Sequence, residues 1–294
     1  MKKGLILASA YWYPPTVASQ CKRIKAELEL LGAEADIRRN DGFLAVVENG
    51  NIAAATDGYD FCVYLDKDKY VSLMLERAGL RLFNSHAAIE ACDDKMTTHV
   101  LLAGQGISMP KTVPGLLCYN ENASVGQKSV LRVESMLGYP LVAKASYGSL
   151  GKAVYKIDDR TSLEAAMASL KCTPHLFQEY IAESVGRDVR VIVIGGKAVG
   201  GMLRSSSGDF RSNIGLGGNG AKFELTDEFI RPAEKTAAIL GLDYCAVDFL
   251  LGRDAPMLCE VNSNAFFEGF EKATGVNVAR TYAEYILNNC GKTH

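Results

Sequence analysis

The chain has 294 residues, more than one small core organises, so two or three domains are expected. Its 48% hydrophobic and 22% charged content is that of a globular protein. A net charge of −2 and the lack of any long basic run leave nucleic acid and anionic membranes without electrostatic support as partners.

The opening "MKKGLILASAYWYPP" sets two lysines and an apolar run before Ala-Ser-Ala. The run is shorter than the roughly 7–15 residues of a signal-peptide core. It reads as a buried first strand over residues 4–8. No stretch approaches the ~20 apolar residues of a membrane span. The eight cysteines form no Cys-x-x-Cys and read as reduced, mostly buried thiols of a cytoplasmic protein. The four histidines have no metal-ligand spacing, so neither a histidine metal site nor a Ser-His-Asp triad is supported.

Residues 1–92 alternate strand and helix, which predicts a small parallel α/β layer. "QCKRIKAELELLG" is a helix with Ile24, Leu28 and Leu31 on one face and Gly32 as its stop. "AEADIRR", "FLAVVENG", "DFCVYLD" and "RLFNS" are strand candidates, with the helix "YVSLMLERAG" before the last. The loop "SAYWYPPT" lacks the glycine fingerprint of a dinucleotide site. Residues 93–181 open with a helix ending near Gly104. Helix 127–137, strand "PLVAKAS", a glycine turn, strand "KAVYKI", helix "TSLEAAMASL" and strand "HLFQEYI" follow, an α+β pattern. Residues 182–294 are richer in strands: "DVRVIVIG", "KAVGGMLRS", "CAVDFLLG" and "PMLCEVN". A helix is expected over 227–240, where Pro232 leaves its start or straightness open, and the last helix carries Val276, Ala279, Ala283 and Ile286 on one face.

Four constellations could carry chemistry. "AVDFLLGRDAPMLCEVN" is two apolar runs around a turn centred on Asp254, so a simple hairpin sets Asp248 opposite Glu260. Asn262 shares the Glu260 face because side chains alternate along a strand. Opposed carboxylates repel, and either a divalent cation or lysine and arginine partners must offset them. In "LVAKASYGSLGKAVYKI", Lys144 precedes a glycine-rich turn that is either a phosphate cradle or a plain hairpin; it is not a Walker A loop. "GLGGNG", 215–220, matches a dinucleotide fingerprint only literally and reads as a flexible loop near the substrate. "FQEYI" lies between two candidate domains, where a planar ring could bind, and Arg190, Arg204 and Arg211 suit carboxylate or phosphate.

Taken in order, "NSHAAIEACDDKMTTHVLLAGQGISMPKT", "QEYIAESVGRDVRVIVIGGKAVGGMLR", "GDFRSN", "VDFLL" and "EVNSNAFFEGFEKATGVNVA" resemble the ATP-grasp carboxylate–amine ligases. The nearest branch is the RimK-like, alpha-L-glutamate ligase type. The resemblance spans about two-thirds of the chain. It implies an ATP-grasp fold, α/β (α+β), with a pre-ATP-grasp α/β domain at 1–92, a central lid domain at 93–181 and a catalytic domain at 182–294. It further implies that Lys95 and Lys144 bind ATP phosphates under a loop that includes Gly148, Ser149 and Gly151. Glu179, Tyr180 and Ile181 would hold adenine and Asp188 the ribose. Asp248, Glu260 and Asn262 would hold two Mg²⁺ (or Mn²⁺) ions. Arg204 and Arg211 would face an acyl-phosphate, with Ser212 and Asn213 lining the site. Where related ligases follow Glu-x-Asn with a small residue, Pro and Gly, this chain has "SNAFFEG", so Asn264, Phe266 and Phe267 would shape the substrate pocket. The implied activity joins a carboxylate to an amine through an acyl-phosphate, in a homo-oligomer; an ATP-grasp kinase acting on an alcohol and a silent ATP-binding regulator are the alternatives.

Overall fold

The first strand, β1 (Lys3–Ser9), is apolar and buried through its middle, as expected of a strand covered on both faces. The structure is a computed structural model and describes residues 1–41, 45–148, 151, 153–212 and 218–291. Helix α1 (Pro15–Leu30) starts earlier than its apolar periodicity suggests, because Pro15 at the first helical position needs no backbone donor. It leads to β2 (Glu34–Asn40), then to the hairpin β3 (Ala45–Glu48) and β4 (Asn51–Ala54). β5 (Phe61–Leu65), α2 (Lys69–Arg77) and β6 (Arg81–Phe83) complete a parallel sheet in the order β2-β1-β5-β6. That is the parallel α/β layer read from the alternation of elements.

Two short helices follow. Ser85 caps α3 (His86–Asp93) and Asp94 caps α4 (Lys95–Leu102), so the 93–104 region begins a helix at Lys95. A second, antiparallel sheet is ordered β7-β10-β8-β9. It comprises β7 (Thr112–Pro114), β8 (Leu141–Ala145), β9 (Val154–Ile157) and β10 (His175–Glu179), with α5 (Gln127–Leu137) and α6 (Arg160–Leu170) packed on it through Val130, Val133 and Leu163.

The third sheet is ordered β13-β12-β11-β14-β15 and is antiparallel throughout. Its strands are β11 (Arg187–Ile194), β12 (Lys197–Ser205), β13 (Asn219–Phe223), β14 (Tyr244–Leu251) and β15 (Pro256–Asn262). β13 corrects the reading of "GLGGNG" as a loop in part: Gly220 pairs with Arg204 across the ladder, while Gly215 and Gly217 lie outside the described residues. Helix α7 (Asp227–Leu240) runs through Pro232, and α8 (Glu268–Thr274) and α9 (Val278–Asn289) end the fold. Val276 precedes α9 but still packs against the same core. All eight cysteines are free, and five are buried.

One core runs from the first sheet to the third. Ile6, Ile24, Phe61 and Phe83 share it with Ile192, Tyr244, Phe270, Tyr282 and Ile286, so the C-terminal helices return to the N-terminal layer. The other face of the third sheet takes α3, α4 and α7 through Cys92, Leu102 and Ala237. Buried Asn84, at the end of β6, ties these layers together. Its amide nitrogen donates to the carbonyls of Tyr244 and Ser263, both at 2.8 Å, and its oxygen accepts from the amides of Asp243 (2.7 Å) and Tyr244 (2.9 Å).

Asn84→Ala strands four backbone groups inside this junction. It is expected to cost about 2–4 kcal/mol of stability, measured by denaturant or thermal unfolding. A loss below about 1 kcal/mol would show that the junction is held by apolar packing alone.

Candidate functional site

The hairpin β14–β15 sets the site. Asp248 lies opposite Glu260 and Ala246 opposite Asn262, the register expected from the turn. Beyond Asp248 the register slips, with Phe249 opposite Leu258, so Cys259 is the extra residue of a bulge. Bulges re-aim side chains near sites. Here the Cys259 Sγ comes to 3.7 Å from the Lys144 Nζ on the second sheet.

A cavity of about 390 Å³ opens between the second and third sheets. Lys95, Lys144, Gly148, Gly151, Glu179, Tyr180, Ile181, Asp188, Arg204, Arg211, Ser212, Asp248 and Glu260 all line it. Asn262 lines an adjoining cavity of about 860 Å³, together with Arg190, Asn264 and Phe266. Phe267 also reaches that wall but is 1% exposed and belongs to the shared core, so packing is its main role and the expectation of a pocket residue is corrected to that extent. Ser149 and Asn213 lie outside the described residues.

The electrostatics differ from two bare opposed carboxylates. Asp248, 2% exposed, is held bidentately by Arg190, with Nε–Oδ1 and Nη2–Oδ2 both 2.7 Å, and its Oδ2 meets Arg204 Nη2 at 2.9 Å. Burial raises the Asp248 pKa, but Arg190 and then Arg204 outweigh it and hold the carboxyl below its usual range. Arg204 is shared: its Nε and Nη2 also donate to Asp188 at 2.6 and 2.5 Å. Burial opposes the Arg204 charge, yet Asp248 and Asp188 keep it fully protonated. Ser212 Oγ donates to Asp188 Oδ2 at 2.5 Å. Glu260 pairs with Lys95 at 3.2 Å, and Lys95 also donates to the Gly148 carbonyl at 2.8 Å. Each carboxylate thus has a basic partner in this state, the arrangement the sequence left open beside a metal.

Arg211 pairs with Asp209 (Nη2–Oδ2 2.6 Å) and also donates to the Gly151 carbonyl, which links its loop to the glycine turn. Gly186, at φ +65°, permits the turn before Asp188: a Cβ there would lie 2.5 Å from the Ser206 carbonyl oxygen. The Glu179 amide donates to the Lys111 carbonyl at 2.9 Å and its Oε2 accepts from the Lys111 amide at 3.2 Å, and the Tyr180 and Phe210 ring centroids lie 6.3 Å apart.

Sequence reasoning missed three participants. Gln178 accepts from Lys144 Nζ at 2.6 Å; a lone amide inside the apolar strand "HLFQE" was the available signal. His99 meets Gln178 from α4, and nothing in the helical pattern marks it. Trp12 lines both cavities and faces Phe266 at 5.8 Å between ring centroids, from a loop that carried no motif.

Asp248, Glu260 and Asn262 supply two carboxylates and one amide; the amide nitrogen donates to Asp248 Oδ2 at 3.4 Å, and turning the amide over would make the set all oxygen. Such a set suits a hard divalent cation that is shared with ligand phosphates. Among the described residues no group of three or more His, Cys, Asp or Glu side chains could hold a metal unaided. No helix among them is long and apolar enough to cross a membrane.

A family model described as the RimK-like ATP-grasp domain matches residues 92–286. Beta-citrylglutamate synthase B of Danio rerio is 37% identical over 229 residues, 77% of this chain and 55% of that protein. N-acetylaspartylglutamate synthase A of Homo sapiens is 36% identical over 77% of this chain and 57% of its own length. The chain therefore spans little more than half of these two relatives. A probable alpha-L-glutamate ligase of Maridesulfovibrio salexigens is 35% identical over 74% of this chain and 71% of that protein. Among solved structures, a RimK domain ATP-grasp protein of Sphaerobacter thermophilus superposes with a TM-score of 0.72 at 18% identity, covering 97% of this chain and 99% of the other. D-alanine–D-alanine ligase of Bacillus anthracis gives 0.75 at 15% identity, covering 99% and 97%. These two similarities establish the fold.

His99 yields a prediction on pH. Burial, and then Lys144, hold its imidazole down to about 4, against about 6.5 when exposed. The unfolded chain therefore binds more protons between those values. The contribution of neutral His99 is complete above pH ~6.5 and is lost as pH falls towards ~4. His99→Gln should flatten the fall in melting temperature between pH 7 and 5 measured by calorimetry. Parallel curves for the two proteins would exclude a neutral buried His99.

Proposed function

The chain belongs to the RimK-like ATP-grasp family, and from that premise we propose that it is an ATP-dependent, ADP-forming carboxylate–amine ligase. The carrying observation is one cavity with Lys95, Lys144 and the glycine turn on one side and Asp248 and Glu260 on the other, adjoining a larger cavity. The first cavity suits a nucleotide: the Glu179–Ile181 backbone for adenine, Asp188 for ribose, and the lysines for phosphates. Asp248, Glu260 and Asn262 would hold Mg²⁺ (or Mn²⁺), two ions in this reading. Bound there, the metal would offset charge on the phosphate oxygens. The second cavity suits the carboxylate and the amine, of which a glutamate-like amino acid is proposed as one, joined to a small molecule, peptide or protein. The names of the relatives support that choice of amino acid.

In the reaction a substrate carboxylate oxygen attacks the γ-phosphorus and ADP leaves. The amine nitrogen then attacks the acyl carbon, phosphate leaves, and a proton is lost. Arg204 and Arg211, both at the cavity wall, would stabilise the developing oxyanion. The second sheet with its glycine turn would act as a lid that keeps water from the acyl-phosphate. Division into 1–92, 93–181 and 182–294 is part of this proposal and is supported by a separate four- or five-stranded sheet in each span, with the β3–β4 hairpin besides in the first. A homo-oligomer and a cytoplasmic location belong to it too; the free cysteines support the second.

Glu260→Gln tests the proposal. The Lys95–Glu260 pair is partly exposed, so its loss should change stability without ligand by less than about 1 kcal/mol. ADP release with a carboxylate and an amine should fall about 10³-fold or more if the metal site supplies roughly 4 kcal/mol to the transition state. A fall below tenfold would remove Glu260 from the metal site, and phosphoryl transfer to an alcohol without amide formation would overturn the ligase reading.

A further inference from the structure

Lys144 is a buried cation of an unusual kind. It is 8% exposed, yet among the described residues no carboxylate lies within ion-pair distance of it. Three other cations at the cavity wall have acidic partners: Lys95 has Glu260, Arg204 has Asp188 and Asp248, and Arg211 has Asp209; the exposed Arg187 donates to the Glu183 carbonyl. The ammonium of Lys144 instead donates to the amide oxygen of Gln178 at 2.6 Å.

The orientation of that amide is dictated from both ends. Gln178 is 1% exposed, so its donors need partners inside the protein. Its nitrogen donates to Thr112 Oγ1 at 2.9 Å and faces His99 Nε2 at 3.3 Å. Thr112 spends its own proton on the Pro110 carbonyl, so it must accept from Gln178. Were the amide turned over, two N–H donors would face the ammonium and an oxygen would face Thr112. With the observed orientation His99 accepts at Nε2, and the ring proton sits on Nδ1. That matches an imidazole kept neutral by burial and by Lys144. The three elements involved, β7, β10 and β8, are neighbours in one sheet, and α4 brings His99 to it. Lys144 is thus the charged member of a cluster whose other side chains are neutral.

We infer that Gln178 is a positioning residue: it fixes the Lys144 ammonium at the wall of the 390 Å³ cavity with a neutral acceptor, so that the full charge stays available to a phosphate-bearing ligand. The inference rests on the nucleotide reading of that cavity. A carboxylate at 178 would hold the lysine at least as firmly but would neutralise it. Position and charge can therefore be separated by a single isosteric change, which a merely structural role for Gln178 does not predict.

The experiment compares wild type, Gln178→Glu, Gln178→Met and Lys144→Ala by calorimetric titration with Mg-ADP, with adenosine as the phosphate-free probe and melting temperature as the control. Gln178→Glu should weaken Mg-ADP binding by about tenfold or more while adenosine affinity holds; its melting temperature should fall, because the second carboxylate oxygen replaces the donor to Thr112 and His99. Gln178→Met, neutral but without an oxygen acceptor, should also weaken Mg-ADP selectively. Should Gln178→Glu fail to fold, the Met variant decides alone. Wild-type Mg-ADP affinity in the variant that folds, or an equal loss for Mg-ADP and adenosine, overturns the inference. Lys144→Ala separates the two levels: if it leaves Mg-ADP affinity unchanged, the nucleotide reading of Lys144 fails and the role of Gln178 with it. If it weakens Mg-ADP while Gln178→Glu does not, only the role of Gln178 fails.

Discussion

Asp248 is the constraint on which the rest depends. A carboxylate on the middle of β14 is costly to bury, and removing one partner of such a group costs several kcal/mol. Its two arginines come from the strands that follow in sheet order: Arg190 on β11 and Arg204 on β12. Arg204 then needs Asp188, and Asp188 accepts from Ser212 as well. One buried charge therefore ties together three strands and the segment whose Arg211 reaches the glycine turn. The same residues line the cavity, so the network that organises the sheet also shapes the site.

The surrounding layers carry an ion pair of their own beside the Asn84 clasp, Arg81 with Asp243 at 2.8 Å. The shared core below the third sheet is aliphatic and aromatic, and the Asn84 clasp is made of neutral amides and backbone. The second sheet enters from the other side and brings Lys144 on its own scaffold of Gln178, Thr112 and His99, and α4 adds Lys95. The two halves of the cavity wall thus belong to different sheets with separate cores. If the second sheet is the lid of the proposed ligase, it would be able to move over a nucleotide while each half keeps its internal bonds.

Much of the fold was legible where the pattern is local. The turn around Asp254 sets the hairpin register by symmetry, and Asp248 does face Glu260. The helix expected over 127–137 has those bounds, and a helix lies where one was expected near 227–240. What was hidden depends on distant parts of the chain. The bulge at Cys259 leaves no trace in the alternation, because the extra residue is absorbed between two correctly patterned halves. Arg190 lies 58 residues from Asp248, and Asn84 lies 159 or more from its partners, so no spacing argument connects them. Gln178 becomes a neighbour of Lys144 only once β10 is known to pair with β8, which sets Leu176 opposite Lys144 and Gln178 on the adjacent diagonal. β13 was obscured by its glycines and α8 by its length of seven residues.

The two lysines at the cavity wall illustrate how partner chemistry assigns work to a charge. Lys95 shares its charge with Glu260, and Lys144 shares its own with no carboxylate among the described residues. A phosphate that approaches both meets one cation already partly neutralised and one that is not. In the proposed reading, Lys144 would therefore attract an anion whether or not a metal is present. Lys95 contributes fully only when Glu260 is engaged by another cation, since the carboxylate then ceases to compete for it. If Glu260 is a metal ligand, metal and phosphate each favour the other through Lys95, with no movement of the backbone required. Coupling of this kind is reciprocal, so a phosphate drawn to Lys95 loosens the hold on Glu260 by the same free energy with which the metal frees the lysine.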